Sequence, residues 1–148
     1  KFKGLKFRQQ VIFKKNNLTV INDSKSTSFY STIDILKQSS NVFWILGGIH
    51  KKGDKFDLKK KDMNNVRAFI FGKNKDFFIR KLKKKVKIKY FSNLKNVLKN
   101  IFYLIEKEKL TQNTILFSPC AASFDSFKNF EDRGQYFNKL IKRYLNEI

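Results

Sequence analysis

A chain of 148 residues with 41% apolar content is long enough to bury one core, and it falls in the usual size range of a single domain. Its 33 basic residues against 12 acidic ones give a net charge of +21, which points toward anionic partners. No apolar run approaches the roughly 20 residues that span a bilayer, the single Cys120 excludes an intrachain disulfide, and the single His50 leaves no Cys/His spacing for zinc.

These absences lead to the expectation of a soluble, cytoplasmic, metal-poor chain, and the start at Lys1 rather than Met to that of a piece cut from a longer protein. The positive charge invites a nucleic-acid reading. Only Arg8, Arg67, Arg80, Arg133 and Arg143 are arginines, however, and the lysines are spread along the whole chain. Lysine reads bases less well than arginine. Asn, Ile and Phe are also abundant, so the lysine excess fits a composition drawn from A/T-rich codons. A basic nucleic-acid-binding α/β module remains the competing reading.

In chain order, β-branched runs at Val11 to Lys15, Leu18 to Asn22, Val42 to Leu46, Val66 to Phe71, Val86 to Phe91 and Thr114 to Phe117 read as strands. The first two are separated by Asn16 and Asn17, which suit a tight hairpin turn. Helices are expected at Ser28 to Gln38, Lys75 to Leu82, Asn93 to Glu108 and Phe124 to Leu145, the last with a bend at Gly134. In the third, Leu94, Val97, Leu98, Ile101, Phe102 and Ile105 repeat on one helical face, a stripe that belongs in a core. The lysine run from Lys81 to Lys87 reads as a solvated helix-to-strand turn. Strands alternating with helices predict an α/β domain with a mostly parallel sheet.

Ligands of open α/β sheets bind beyond the carboxyl ends of the strands. Three such places carry polar clusters: Asn22-Asp23-Ser24-Lys25-Ser26-Thr27, Gly47-Gly48-Ile49-His50-Lys51, and Ser118-Pro119-Cys120-Ala121-Ala122-Ser123-Phe124-Asp125. Asp23, Ser24 and Ser26 suit the cap of a helix starting near Thr27, and Ser123 or Asp125 suits the cap of the last helix. Lys25 at a helix N-terminus is unfavourable unless an anion sits between them. Together the clusters suggest a pocket for a small dianion. Cys120 reads as a small buried thiol, Trp44 as part of a buried strand, and His50, without a partner, as a non-catalytic residue.

These residues resemble the C-terminal domain of the Mur ligases, and among them the D-glutamate-adding branch. Phe2-Lys3-Gly4-Leu5-Lys6-Phe7-Arg8 is similar to the family's Gly-Leu-Pro-His-Arg, and residues 22–27 to Asn-Asp-Ser-Lys-Ala-Thr. Leu46-Gly47-Gly48 with Lys51 follows, and then Ser118-Pro119 with Ser123-Phe124-Asp125-Ser126-Phe127-Lys128-Asn129-Phe130-Glu131-Asp132-Arg133-Gly134, the most specific match to that branch.

The resemblance implies a Rossmann-like domain of about six strands, occupying residues 1–148, with the UDP-binding and central ATPase domains outside this chain. It implies ATP-dependent amide formation between UDP-N-acetylmuramoyl-L-alanine and D-glutamate in peptidoglycan synthesis. Thr27 and Lys51 would hold one carboxylate of D-glutamate; Ser123 and the backbone around Phe124 and Phe130 would hold the other. Lys25 would add charge at the reacting groups as a catalytic residue, Arg8 would reach the ATP phosphates and Asp23 the ribose. ATP and Mg2+ would serve the full-length enzyme, with the metal ligands and the Gly-Lys-Ser/Thr phosphate loop outside this chain, which alone would turn over nothing.

Three departures stand out: Phe7 where the family usually has His, Cys120-Ala121-Ala122 in place of Ala-Cys-Ala, and the pair Ile49-His50. A catalytically silent homologue is the third reading, motivated by Phe7.

Overall fold

The computed structural model describes residues 5–55, 57–123 and 126–146. The chain opens with the hairpin β1 (Gln10–Lys15) and β2 (Leu18–Asn22), turning at Asn16, whose φ of 57° is a conformation asparagine tolerates. A 3-10 turn at Phe29–Ser31 leads into α1 (Ile33–Gln38), then β3 (Val42–Leu46) and a two-residue strand β4 (Ile49–His50). Next come a 3-10 turn at Lys60–Met63, β5 (Val66–Phe71), α2 (Lys75–Leu82), β6 (Lys87–Phe91) and α3 (Leu94–Glu108). The chain continues through β7 (Asn113–Phe117) and a second two-residue strand, β8 (Ala121–Ala122), to α4 (Phe130–Asn146).

The main sheet has the order β1-β2-β7-β3-β5-β6. All of its pairs are parallel except β1 with β2. This is the α/β architecture with a mostly parallel sheet that the alternation of strands and helices implies, and it is Rossmann-like with six strands, as the resemblance implies. Strands β3 and β7, in the middle, are buried at every position, which explains their unbroken apolar runs. On the outer strand β6, Lys87 and Lys89 are exposed.

Alternate residues of the central strands serve two separate cores. Val42, Trp44, Leu46, Ala68 and Ile70 face Leu36 of α1 and Phe78 and Leu82 of α2. Phe43, Ile45, Phe69 and Phe71 face Leu94, Leu98 and Ile101 of α3 and Phe137 and Leu140 of α4. Each Val, Leu, Ile or Phe among them contributes about 1.5–3 kcal/mol on leaving water. The two layers hold the strand ends rigidly, which is what a site built on loops requires.

Helix boundaries follow their caps. Asn93 accepts a hydrogen bond from Asn96 N at 2.9 Å and starts α3. Asn129 does the same for Asp132 N at 2.8 Å, so α4 begins at Phe130 and not at Phe124. Neither Asp23, Ser24 nor Ser26 caps a helix: the turn at Phe29 has Ser28 at its N-cap and no side-chain cap, and the α-helix itself starts at Ile33. α4 runs through Gly134 as one helix, without the expected interruption there. No helix among the described residues is long and apolar enough to cross a membrane.

Candidate functional site

Because β2, β7 and β3 are neighbours in the sheet, the loops that leave their carboxyl ends are neighbours too. These are the loops carrying Lys25 and Thr27, Ser123, and Lys51. The loop after β3 starts with two glycines at φ 151° and 123°; a Cβ on Gly47 would sit 2.1 Å from Phe71 O, and one on Gly48 2.4 Å from Ala122 O. Only glycine permits that approach. It lets β4 pair antiparallel with β8, with Ile49 opposite Ala122 and His50 opposite Ala121, so the loops after β3 and β7 are tied directly.

The loop after β2 is held from below. Asn22, fully buried, donates to Gly134 O at 3.0 Å and Asn138 Oδ1 at 2.7 Å, and accepts from Ser24 N at 3.0 Å. Ser24 Oγ donates to Phe130 O at 2.8 Å. Arg133, 1% exposed, reaches under the same loop: Nε donates to Ser24 Oγ at 3.1 Å, Nη2 to Ser24 O, and Nη1 to Ala121 O at 2.9 Å.

Asp23 lies at the centre of a second network. Its Oδ1 accepts from Gln9 N at 3.0 Å and its Oδ2 from Ser118 Oγ at 2.8 Å. Ser118 in turn meets the Thr32 hydroxyl, and its carbonyl accepts from Trp44 Nε1 at 2.9 Å. Burial raises the Asp23 carboxyl above its usual range, against the lowering effects of Ser118, Gln9, Arg8 and Arg133. Cys120, at φ 56° and fully buried beside Thr32 and Ser26, is pushed up by burial to about 12. A thiol in that state is not a nucleophile at neutral pH.

The residues expected in the pocket fall into two groups. Lys25 is half-buried with Nζ 5.4 Å from the centre of the Phe130 ring; Thr27, Lys51 and Arg8 are exposed. Lys25 is not at a helix N-terminus, so the dipole argument for an anion beside it falls away. What remains is that Lys25, Lys51 and Arg8 make no ion pair among the described residues, where the ion pairs found are Lys37 with Asp62 and Arg67 with Glu108. The carboxylate of Asp54, on the loop after β3, accepts from Phe29 N at 2.9 Å instead. Ser123 and Asp23 are buried and Phe130 is half-buried; Phe124 lies outside the described residues.

His50 is half-buried and stacked on Phe77, with centroids 3.7 Å apart and planes 8° apart, and its Nδ1 finds no hydrogen-bond partner among the described residues. Phe7 is buried with its ring against Gly134, so the departure from His is a packing position here. No group of three or more His, Cys, Asp or Glu able to hold a metal occurs among the described residues. A broad hollow of about 1060 Å³ lies at the opposite, amino end of the strands, lined by Arg67, Lys83, Lys85, Lys87 and Glu108. Its arginine, Arg67, is already held by Glu108 through two 2.8 Å contacts, and its lysines make no ion pair among the described residues.

Sequence reasoning missed Arg133, Asn22, Ser118 and Thr32 as the frame of the site. A signal for Arg133 was present: in a chain that uses lysine almost everywhere, a retained arginine marks a place where a planar, forked donor is needed.

No protein-family model matches the chain. Curated relatives do. A UDP-N-acetylmuramoylalanine–D-glutamate ligase of Rickettsia felis is 35% identical over 151 residues, covering 99% of this chain and 33% of that protein. The ligase of the same name from Prochlorococcus marinus is 37% identical over 97% of this chain and 31% of its own length. That of Rickettsia prowazekii is 35% identical over 97% and 32%. The chain thus spans about a third of the length of the curated relatives it matches. Identity at this level across nearly every residue, on an α/β fold with the motif-bearing loops side by side, makes the chain a member of the D-glutamate-adding Mur ligase family.

Proposed function

We propose that this chain is the amino-acid-binding, C-terminal domain of a ligase that joins D-glutamate to UDP-N-acetylmuramoyl-L-alanine at the expense of ATP. The observation that carries the reading is the set of cations that make no ion pair among the described residues, Lys25, Lys51 and Arg8, on segments that gather at the carboxyl ends of β2, β7 and β3. A dicarboxylate needs fixed donors at both ends, and hydroxyls, amides and ammonium groups supply them.

In this reading Thr27 and Lys51 hold one carboxylate of D-glutamate, and Ser123 with the backbone near Phe124 and Phe130 holds the other. ATP phosphorylates the carboxylate of the nucleotide-linked substrate; the D-glutamate amine attacks the acyl phosphate, the tetrahedral intermediate collapses, and inorganic phosphate leaves. Lys25 offsets negative charge that develops at the reacting oxygens, and positioning of the two substrates supplies the rest. Arg8 faces the ATP phosphates. Asp23 is buried beneath this corner, and its hydrogen bond from Gln9 N steadies the backbone next to Arg8, so its contribution to the nucleotide side is indirect. Magnesium would screen phosphate charge, and no residue of this chain is assigned to it. The UDP-binding and ATPase parts belong to the remaining two-thirds of such a ligase.

The test is Lys51→Ala and, separately, Thr27→Val in the intact ligase. Losing a charge-assisted hydrogen bond to a carboxylate should raise KM for D-glutamate at least about tenfold while KM for ATP stays within about twofold. An unchanged D-glutamate dependence in both variants contradicts the pocket.

A further inference from the structure

Among the described residues Arg133 is the one basic side chain that is buried, and its donors are divided between two loops. Nε and Nη2 hold Ser24 through its hydroxyl and its carbonyl, next to Lys25. Nη1 holds Ala121 O, two residues before Ser123 and directly opposite His50 in the β4–β8 pair, beside Lys51. The guanidinium thus spans the gap between the loop of Lys25 and Thr27 and the loops of Ser123 and Lys51. It is rooted in α4, whose next residue, Gly134, is bound to the loop after β2 through Asn22.

We propose that Arg133 is a positioning residue that sets the distance between the two ends of the dicarboxylate pocket, and so determines which chain length of amino-acid dicarboxylate is accepted. The inference rests on the ligase reading above. A planar fork with donors in fixed directions holds two carbonyls and a hydroxyl at a set separation, whereas an ammonium group on a flexible stem holds none of those directions. Discrimination between dicarboxylates that differ by one methylene rests on that separation, because a shift of one donor set relative to the other alters the fit of the longer and the shorter ligand unequally.

The experiment uses the intact ligase and compares kcat/KM for D-glutamate and for D-aspartate in the unaltered enzyme, in Arg133→Lys and in Ser24→Ala. The preference for D-glutamate should fall at least about tenfold in Arg133→Lys and by a smaller factor in Ser24→Ala, with KM for ATP within about twofold of the unaltered enzyme. A folded Arg133→Lys enzyme whose preference is unchanged, or which loses both activities in equal proportion, overturns the proposal. If Arg133→Lys does not fold, Ser24→Ala decides, and an unaltered preference there overturns it. An unaltered enzyme that shows no dependence on D-glutamate overturns the ligase reading itself, and this inference with it.

Discussion

The Phe7 ring fills the space that a side chain at position 134 would need: a Cβ on Gly134 would lie 2.4 Å from Phe7 Cδ1 and 2.7 Å from Cε1. Glycine within a helix lowers stability by about 1 kcal/mol relative to alanine, yet here it is what allows the segment before β1 to lie on α4. Gly134→Ala should therefore lower stability by about 1–2 kcal/mol, because overpacking of about 1–3 kcal/mol outweighs the gain in helix propensity. In urea denaturation, adding Phe7→Ala should remove most of the effect of Gly134→Ala. Strict additivity of the two changes would contradict the contact.

Cys120 provides a second prediction. With its thiol pushed up to about 12 and no exposure, it should resist iodoacetamide at pH 8 in the native protein and react once the chain is unfolded. The folded state holds this proton more tightly than the unfolded chain, whose thiol has the ordinary value of 9.0. The associated stability is therefore fully present below pH 9 and declines as pH rises toward the folded value. A Cys120→Ala variant should show a shallower decline over that range. Rapid alkylation of the native chain would contradict the burial.

The Asp23 carboxyl is buried and raised from the ordinary 3.8, chiefly by that burial. A raised carboxyl favours folding most below its unfolded value, and that advantage is lost as pH rises through its folded value. Asp23→Asn keeps an acceptor for Gln9 N and removes the charge. Its stability relative to the unaltered chain should rise between pH 3.5 and pH 7, whereas Asp23→Ala, which removes the acceptor shared by Gln9 N and the Ser118 hydroxyl, should be less stable than either at pH 7. A stability difference between Asn and Asp that is flat with pH would contradict the burial effect.

His50 Nδ1 has no hydrogen-bond partner among the described residues, and its ring face is covered by Phe77. Phe at this position should keep the stack, remove the orphaned nitrogen and raise stability by up to about 1 kcal/mol. Activity of the intact ligase should change less than about threefold in His50→Phe, since general acid–base groups are worth about a hundredfold or more. A loss on that scale would move His50 into the chemistry.

Much of the scaffold was legible because its signals are local. The strands Leu18–Asn22, Val42–Leu46 and Val66–Phe71 and the helix Lys75–Leu82 fall where periodicity puts them, and the asparagine pair marks the antiparallel hairpin. The start of the last helix was not, because Ser123 and Asn129 are both plausible caps and only the tertiary position of the preceding loop selects Asn129. The reason for a glycine inside it, at position 134, is the ring of Phe7, far away in sequence. The pocket loops were visible as polar clusters after strands. Their frame was hidden, since Arg133 meets Ser24 across 109 positions and Ser118 meets Asp23 across 95, pairings without a periodic signature.

The measurement that tests the central claim most directly is phosphate release by the intact ligase supplied with ATP, magnesium and UDP-N-acetylmuramoyl-L-alanine, comparing D-glutamate with L-glutamate and D-aspartate. Release that requires D-glutamate is the predicted result. A folded enzyme from which none of the three amino acids draws phosphate would leave the family membership standing and contradict the proposal that this chain serves an active D-glutamate ligase.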